Sequence, residues 1–341
     1  MNNETNGQSL DHNVTLTPAE SLPPAQPSTL HKIFIGLDGL RAGWSLLIFI
    51  AMVAAIAFSV RIIGHKLHVP DLNKPGTELS PLFGLLIEGL NFLGVLLITW
   101  IMSKIERRPN SVYGFGDSRR FQHFFAGLAW GVICLSFLIL ILWKAGLLVI
   151  DRRVLFGSDT FRYGFIWLFG FFLVGLFEEY ATRGYVQYTL TRGLAGFYRW
   201  AFKTSHSAAL GFWTSAVILS FLFGLGHNNN PGESPIGLLS AGLAAMVFCL
   251  SLWRTGSLWW AIGLHTSWDW GQSFFYGVAD SGLMIQHHLL ATHPAGKPIL
   301  SGGSTGPEGS IFVLAILALI VVIVFVTLPR THYGRAAKAF G

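Results

Sequence analysis

The chain has 341 residues, of which 52% are hydrophobic and 12% charged, about half the charged share of an ordinary soluble protein. Its net charge is +6, but the basic residues lie in short stretches between long apolar runs. That distribution is typical of membrane topology and excludes a nucleic-acid surface. The two cysteines, Cys134 and Cys249, lie inside apolar runs, so neither a disulfide framework nor a cysteine-rich zinc motif is expected.

Residues 1–35 are polar and contain four prolines. They predict a disordered tail that is too polar to be a signal peptide.

Eight apolar runs follow, each close to the roughly 20 residues that a helix needs to cross a bilayer. They lie at residues 42–63, 80–103, 121–143, 162–187, 207–227, 236–253, 257–279 and 311–328. The sequence therefore predicts an all-α, polytopic integral membrane protein with about eight transmembrane helices. Residues 135–143 and 311–328 carry no charge, and we expect them to face lipid. Residues 192–205 mix aromatic and basic side chains, which is typical of a helix at the level of the lipid headgroups.

The basic residues predict the orientation of the chain. Basic stretches follow the second, fourth and eighth runs, and with eight spans all three lie on the same side of the membrane. The positive-inside rule makes that side cytoplasmic. Both termini are then cytoplasmic, and we expect the protein in the inner (plasma) membrane of a bacterium. The stretch 144–162, with four basic residues, argues for the opposite orientation.

The fourth run contains two adjacent glutamates, Glu178 and Glu179, in an otherwise apolar helix. A charge at bilayer depth costs roughly 2.5–3.5 kcal/mol, so such residues normally face a cavity or a partner. Glu179 and Arg183 are four residues apart and can pair on one helical face, either as a purely structural ion pair or as part of a site. Glu178 points about 100° away and has no local partner. A buried, unpaired glutamate is suited to act as a general base.

Three further polar residues lie in or at the end of apolar runs. His227 ends the fifth run, and the seventh contains His265 and Asp269, four residues apart on one helical face. Lipid offers such groups no polar partners. We therefore expect these residues to share one polar cavity among helices four, five and seven with those of the fourth run. Glu88, a lone acid in the second run, has no motif around it, and either a direct role or a protonated interhelical hydrogen bond would explain it.

Three short motifs stand in order: Glu178-Glu179-x-x-x-Arg183, Phe223-x-x-x-His227 and His265-x-x-x-Asp269. Together they resemble the motifs of the CPBP family of intramembrane endopeptidases. That family includes the type II CAAX prenyl proteases and the bacterial Abi and bacteriocin-immunity proteins. The resemblance covers about residues 160–280. It implies a glutamate-dependent peptidase that activates a water within the membrane.

The resemblance also implies a role for each motif residue. It gives the general base to Glu178, the water-holding histidine to His227, the supporting pair to Glu179 and Arg183, and the oxyanion side to His265 and Asp269. Many family members have asparagine where this chain has Asp269. A carboxylate cannot donate to an oxyanion unless it is protonated. We therefore expect Asp269 to orient His265 and favour its charged form, with the histidine as donor.

A metal requirement stays open at this stage. Two glutamates, two histidines and an aspartate could bind zinc, and the family has been described as metallopeptidase as well as glutamic peptidase. A catalytic zinc needs about three protein ligands, and no His-Glu-x-x-His motif occurs. We assign no metal ligand and expect no cofactor, with zinc as the open alternative.

The sequence thus predicts five parts: a tail at 1–35, N-terminal transmembrane helices at 36–155, a CPBP-like catalytic core at 156–285, a long extramembrane loop at 286–310, and a last helix with a basic cytoplasmic tail at 311–341. The expected partners are the lipid bilayer and a membrane-associated peptide or protein substrate. Two alternatives keep the polar cluster without peptidase activity. One is a membrane scaffold or immunity protein, and the other is a proton-coupled transporter, which the lack of an inverted repeat disfavours.

Overall fold

Helices make up most of the computed structural model, which describes residues 33–36, 39–66 and 77–328. Their bounds are α1 Ala42–Lys66, α2 Pro81–Glu106, α3 Arg120–Lys144, α4 Gly157–Glu179, α5 Gln187–Phe202, α6 Ser207–Gly226, α7 Pro235–Thr255, α8 Trp259–Asp269 and α9 Val313–Thr327. The predicted helical class is confirmed. The predicted disordered tail lies almost wholly outside the described residues, as does the basic tail after residue 328.

Six helical stretches within the described residues are long and apolar enough to cross a membrane. They are α1, α2, α3, the stretch that joins α4 to α5, α6 and α7. The seventh and eighth predicted spans correspond to the shorter helices α8 and α9. The length and the apolar composition of these helices are those of an integral membrane protein. Six of the eight predicted spans meet both criteria.

The helix that begins with α4 continues through a π-helical segment, Tyr180–Val186, into α5. This stretch, Gly157–Phe202, is 46 residues long. The sequence instead predicted a span that ends at residue 187 and a separate interfacial helix at 192–205. That division is wrong because no proline or turn sequence interrupts the chain there, and the amphipathic part packs against α6 with its buried face.

Contacts between α5 and α6 determine which residues of the two helices lie at the same height along the helix axes. Thr191 Oγ1 lies 2.8 Å from Ser215 Oγ. Gly211 contacts Ala195 so closely that a Cβ on Gly211 would lie 2.7 Å from the Ala195 nitrogen. The two helices run antiparallel in this register. Extended along the continuous helix, the register brings the end of α6 to the level of the end of α4.

Helices α3 and α8 approach each other through glycines. A Cβ on Gly127 would lie 2.1 Å from the Trp260 carbonyl oxygen, and one on Gly263 would lie 2.1 Å from the Phe124 carbonyl oxygen. Backbone contact this close requires residues without side chains and is typical of helix pairs in membranes. It holds α8, which carries the third motif, against a helix outside the predicted catalytic core.

The two uncharged runs expected to face lipid each bury one face in the protein. Leu135, Leu138 and Leu142 of α3 and Ile316 and Ile320 of α9 belong to one buried hydrophobic cluster. Their other faces carry exposed apolar side chains, such as Phe137 and Val322, so the expectation holds for one face of each run only. The interior of a membrane protein is as apolar as lipid, so lack of charge does not distinguish the two surroundings.

Short strand pairs lie outside the long helices. β1 (Ile35–Gly36) pairs antiparallel with β2 (Gly39–Leu40), β3 (Glu78–Leu79) parallel with β5 (Met284–Ile285), and β4 (Leu148–Arg153) antiparallel with β6 (Leu290–Pro294). We call residues 276–312 the cap. Two of these pairs attach the cap to the segments before α2 and α4. The region predicted as a long loop is therefore an ordered cover over one end of the bundle.

Candidate active site

In two of the motifs an α-helix changes into a π-helix, inside the first motif and at the end of the third. The first change follows Glu179, and the second follows Asp269, where Trp270–Phe275 is π-helical. Such wider turns are rare and occur frequently at functional sites. The first π-helical segment contains Arg183, and in both cases the helix continues past the change.

The Glu179–Arg183 pair is buried and bonded through one atom of each group, while Glu179 Oε2 and Arg183 Nη2 have no hydrogen-bond partner among the described residues. Arg183 Nη1 donates to Glu179 Oε1 at 2.8 Å and lies 3.0 Å from Thr182 Oγ1. The guanidinium group lies over the ring of Phe223 at 4.3 Å and over that of Phe248 at 5.4 Å. Arg183 therefore compensates the charge of Glu179 and connects α4 to α6 and α7.

Three carboxylates converge on the imidazole of His265. Its Nδ1 lies 3.2 Å from Glu179 Oε1, and its Nε2 lies 3.8 Å from Glu178 Oε2 and 3.4 Å from Asp269 Oδ2. The Phe248 ring stacks on the imidazole at 5.4 Å between centroids. One face of the imidazole and both of its nitrogens thus contact residues of three helices, α4, α7 and α8.

His227 stands at the carboxyl end of α6, where its Nδ1 lies 2.8 Å from the Phe223 carbonyl oxygen. A carbonyl can only accept, so Nδ1 carries the proton of this hydrogen bond. In a neutral imidazole Nε2 then remains an acceptor. The Phe223 side chain lies under Arg183, so one residue positions both the histidine and the arginine.

One cavity of about 230 Å³ is lined by Glu178, His227, His265 and Asp269. Glu179 and Arg183 lie behind this wall, both buried. The spans predicted from the sequence had left His227 nearer the opposite membrane face. The continuous α4–α5 helix and its register with α6 remove that conflict, because they raise the end of α6 to the level of Glu178.

Three more acids line the same cavity: Glu88 from α2, and Asp280 and Glu308 from the cap. Sequence reasoning singled out Glu88 without assigning it a role, and it missed the two cap residues. No local motif could have identified them, because their position depends on how the cap folds over the bundle. The one available signal was the nearness of Asp280 to the end of the seventh run.

The two cap carboxyls are held by serines. Ser273 Oγ donates to Asp280 Oδ2 at 3.3 Å, and Ser281 donates to Glu308 Oε1 through its backbone N–H and its hydroxyl. Burial, followed by the charges of Asp269 and Glu308, raises the pKa of Asp280 well above its usual range. Burial also raises the pKa of Glu308, although the bonds from Ser281 oppose it.

A zinc ion does not fit this arrangement of side chains. In the part of the chain that the structure describes, no three His, Cys, Asp or Glu residues are placed to hold a metal together. Glu179, one of the candidate ligands, is occupied by Arg183.

Residues 160–271 match a protein-family model described as "Type II CAAX prenyl endopeptidase Rce1-like". The matched stretch is about a third of the chain and contains all six motif residues. Glu88, Asp280 and Glu308 lie outside it. No curated protein and no solved structure matches the chain.

Proposed function

We propose that this chain is an intramembrane endopeptidase of the CPBP family, from the similarity of residues 160–271 to the type II CAAX prenyl endopeptidases. In this proposal it hydrolyses a peptide bond of a membrane-associated substrate with a water activated by Glu178 and His227. The observation that carries the proposal is the single cavity shared by Glu178, His227, His265 and Asp269. Amide hydrolysis needs a general base and a hydrogen-bond acceptor for the attacking water, and a hydrogen-bond donor for the oxyanion. This cavity contains a candidate for each of these groups.

In the proposed reaction, the water donates one hydrogen bond to Glu178 and the other to Nε2 of His227. Glu178 removes a proton as the water oxygen attacks the carbonyl carbon of the peptide. When the tetrahedral intermediate collapses, Glu178 returns that proton to the leaving amine nitrogen. The Nδ1–H bond of His227 to the Phe223 carbonyl supports this role, since it leaves Nε2 as an acceptor.

His265 is the proposed oxyanion donor. Its Nδ1 is engaged with Glu179, so Nε2 donates to the oxyanion only while the imidazole carries both protons. The surrounding carboxylates of Glu178, Glu179 and Asp269 are the partners that a charged imidazole requires. Asp269 and Glu179 act here by orienting the ring, and Arg183 by holding Glu179.

The proposed placement puts both termini in the cytoplasm and the cap outside, in the inner membrane of a bacterium. It is supported by the basic stretches after the second, fourth and eighth runs.

Hydrolysis of quenched fluorescent peptides with an apolar segment by the purified protein tests the function. Glu178→Gln and His227→Ala should each lower the rate by about 100-fold or more, because each removes one partner of the attacking water. Glu78→Gln is the matched control, since Glu78 is an exposed acid outside the cavity. Unchanged melting temperatures would show that the variants fold. Turnover by Glu178→Gln above about a tenth of the parental rate would contradict the proposed base.

A further inference from the structure

Glu88 lies on a wall of the cavity that the proposed mechanism does not use. We call it the α2–α4 wall, and its residues are Leu79, Gly84, Glu88, Trp167, Phe171 and Val174. A Cβ on Gly84 would lie 3.0 Å from the Trp167 ring, and one on Gly89 would lie 4.0 Å from Leu173. These contacts put Glu88 at the level of residues 171–173 of α4.

Glu178 lies further along α4, at a distance of roughly 8–10 Å for a rise of 1.5 Å per residue. An extended peptide advances about 3.3 Å per residue. We consider a substrate that lies extended along α4 with its scissile bond at Glu178. Its side chain at the level of Glu88 then belongs to a residue two or three positions from that bond.

Acidic side chains outnumber basic ones around the cavity. Five carboxyl groups and two imidazoles line it: Glu88, Glu178, Asp269, Asp280, Glu308, His227 and His265. No lysine or arginine is found among the described residues of this lining. His265 contacts Glu178 and Asp269, whereas Glu88 accepts a hydrogen bond from the neutral amide of Asn91 at 3.3 Å. A cation beside Glu88 would lie near the carboxyl groups of both Glu88 and Glu178, which line the same cavity.

The rest of the α2–α4 wall suits the same ligand. Trp167 and Phe171 present aromatic surface, which attracts ammonium and guanidinium groups. The indole N–H of Trp167 donates to the Gln286 carbonyl at 2.9 Å, which fixes the ring. Leu79 and Val174 line the same wall with apolar side chains, which suit the methylene stem of a long side chain.

We propose that Glu88 is a specificity-determining residue that binds a lysine or arginine side chain of the substrate, two or three residues from the scissile bond. This inference rests on the proposed peptidase function. A substrate carboxylate in the same place would meet a cavity with five acids and no lysine or arginine in its described lining, so it should bind less well.

The test uses peptides that are identical except at one residue, which is lysine, norleucine or glutamate, with that residue moved in turn along the sequence. Their affinity for Glu178→Gln, which does not turn them over, is measured by fluorescence anisotropy, and kcat/KM is measured for the parent. In one register the lysine peptide should bind about 10- to 100-fold more tightly than the norleucine peptide. The glutamate peptide should bind least.

Adding Glu88→Gln should remove the preference for lysine and leave the affinity for the norleucine peptide unchanged. Adding Glu78→Gln, the matched control, should leave the preference intact. Equal affinity for lysine and norleucine peptides in every register would overturn the proposal. So would an equal loss for all three peptides in Glu88→Gln, which would make Glu88 a structural residue. A lysine preference in binding without hydrolysis by the parent would refute the peptidase function but retain this site.

Discussion

The imidazole of His265 contacts Glu178, Glu179, Asp269 and Phe248. Among these partners, Asp269 is the residue whose substitution best tests how the imidazole is held. The side chain of Asp269 lies 3.4 Å from the imidazole and lines the cavity itself. If its role is to orient the ring, an amide of the same shape should serve nearly as well.

Asp269→Asn should therefore keep substantial peptidase activity, while His265→Ala should lose about 100- to 1000-fold, the usual effect of removing an oxyanion donor. The measurement is the hydrolysis rate together with bound metal by elemental analysis. Stoichiometric zinc in the parent that disappears with activity in Asp269→Asn would instead make Asp269 a metal ligand and refute the glutamic mechanism.

The buried carboxyl of Asp280 should make stability depend on pH. Its folded pKa is raised above the unfolded value of about 3.9, so the folded state binds more protons. Stability then falls as pH rises from about 4 through the folded pKa, and the full penalty is present above it. Asp280→Asn should raise the melting temperature at about pH 8 and leave it unchanged near pH 4. Asp159→Asn, at an exposed acid, is the control, and a lower melting temperature of Asp280→Asn at the higher pH would contradict the account.

At the scale of the elements, the contact between α3 and α8 supports the third motif. Alanine at Gly127 or Gly263 would force two backbones apart, because each new Cβ would lie 2.1 Å from a carbonyl oxygen. We expect each change to lower the free energy of unfolding by about 1–3 kcal/mol or more and to reduce activity by moving His265.

Gly196→Ala is the matched control for these glycine variants. Gly196 lies in α5 with no atom within 4 Å of its added Cβ, so alanine there should stabilise the helix by up to about 1 kcal/mol. Unfolding in urea, followed by circular dichroism in detergent, compares the three variants. If Gly127→Ala and Gly196→Ala unfold alike, the close contact does not contribute to stability.

The sequence was most informative about the site where an apolar run contained a charged residue, because such a residue needs a cavity or a polar partner. It predicted the helices and the candidate residues, and their catalytic roles stay predictions. It failed at the end of the fourth helix, because an amphipathic continuation such as residues 192–205 has the same pattern as a separate interfacial helix. It also failed at Asp280 and Glu308, because polar residues in a Gly- and Pro-rich segment are ordinary in a loop. The pairing of β3 with β5 and of β4 with β6 attaches that segment over the cavity.

At the scale of the whole molecule, the orientation can be measured with two single cysteines. Ser118→Cys lies in the basic segment before α3, and Ser304→Cys lies in the cap, and both positions are exposed. The native Cys134 and Cys249 are buried and should give little background. An impermeant thiol reagent added to intact cells should label only Ser304→Cys. Labelling of Ser118→Cys alone would invert the orientation.

The walls of the cavity have two different origins in the chain. The proposed reacting groups come from residues 160–271, whereas Glu88 comes from α2 and Asp280 and Glu308 come from the cap. Residues 160–271 cut from this chain would keep the proposed chemistry but lose two sides of the space that encloses it. Substitutions in α2 and the cap can change which peptide is held without touching the three motifs. If the proposed roles hold, a protein with the same three motifs would share the reaction but not necessarily the substrate.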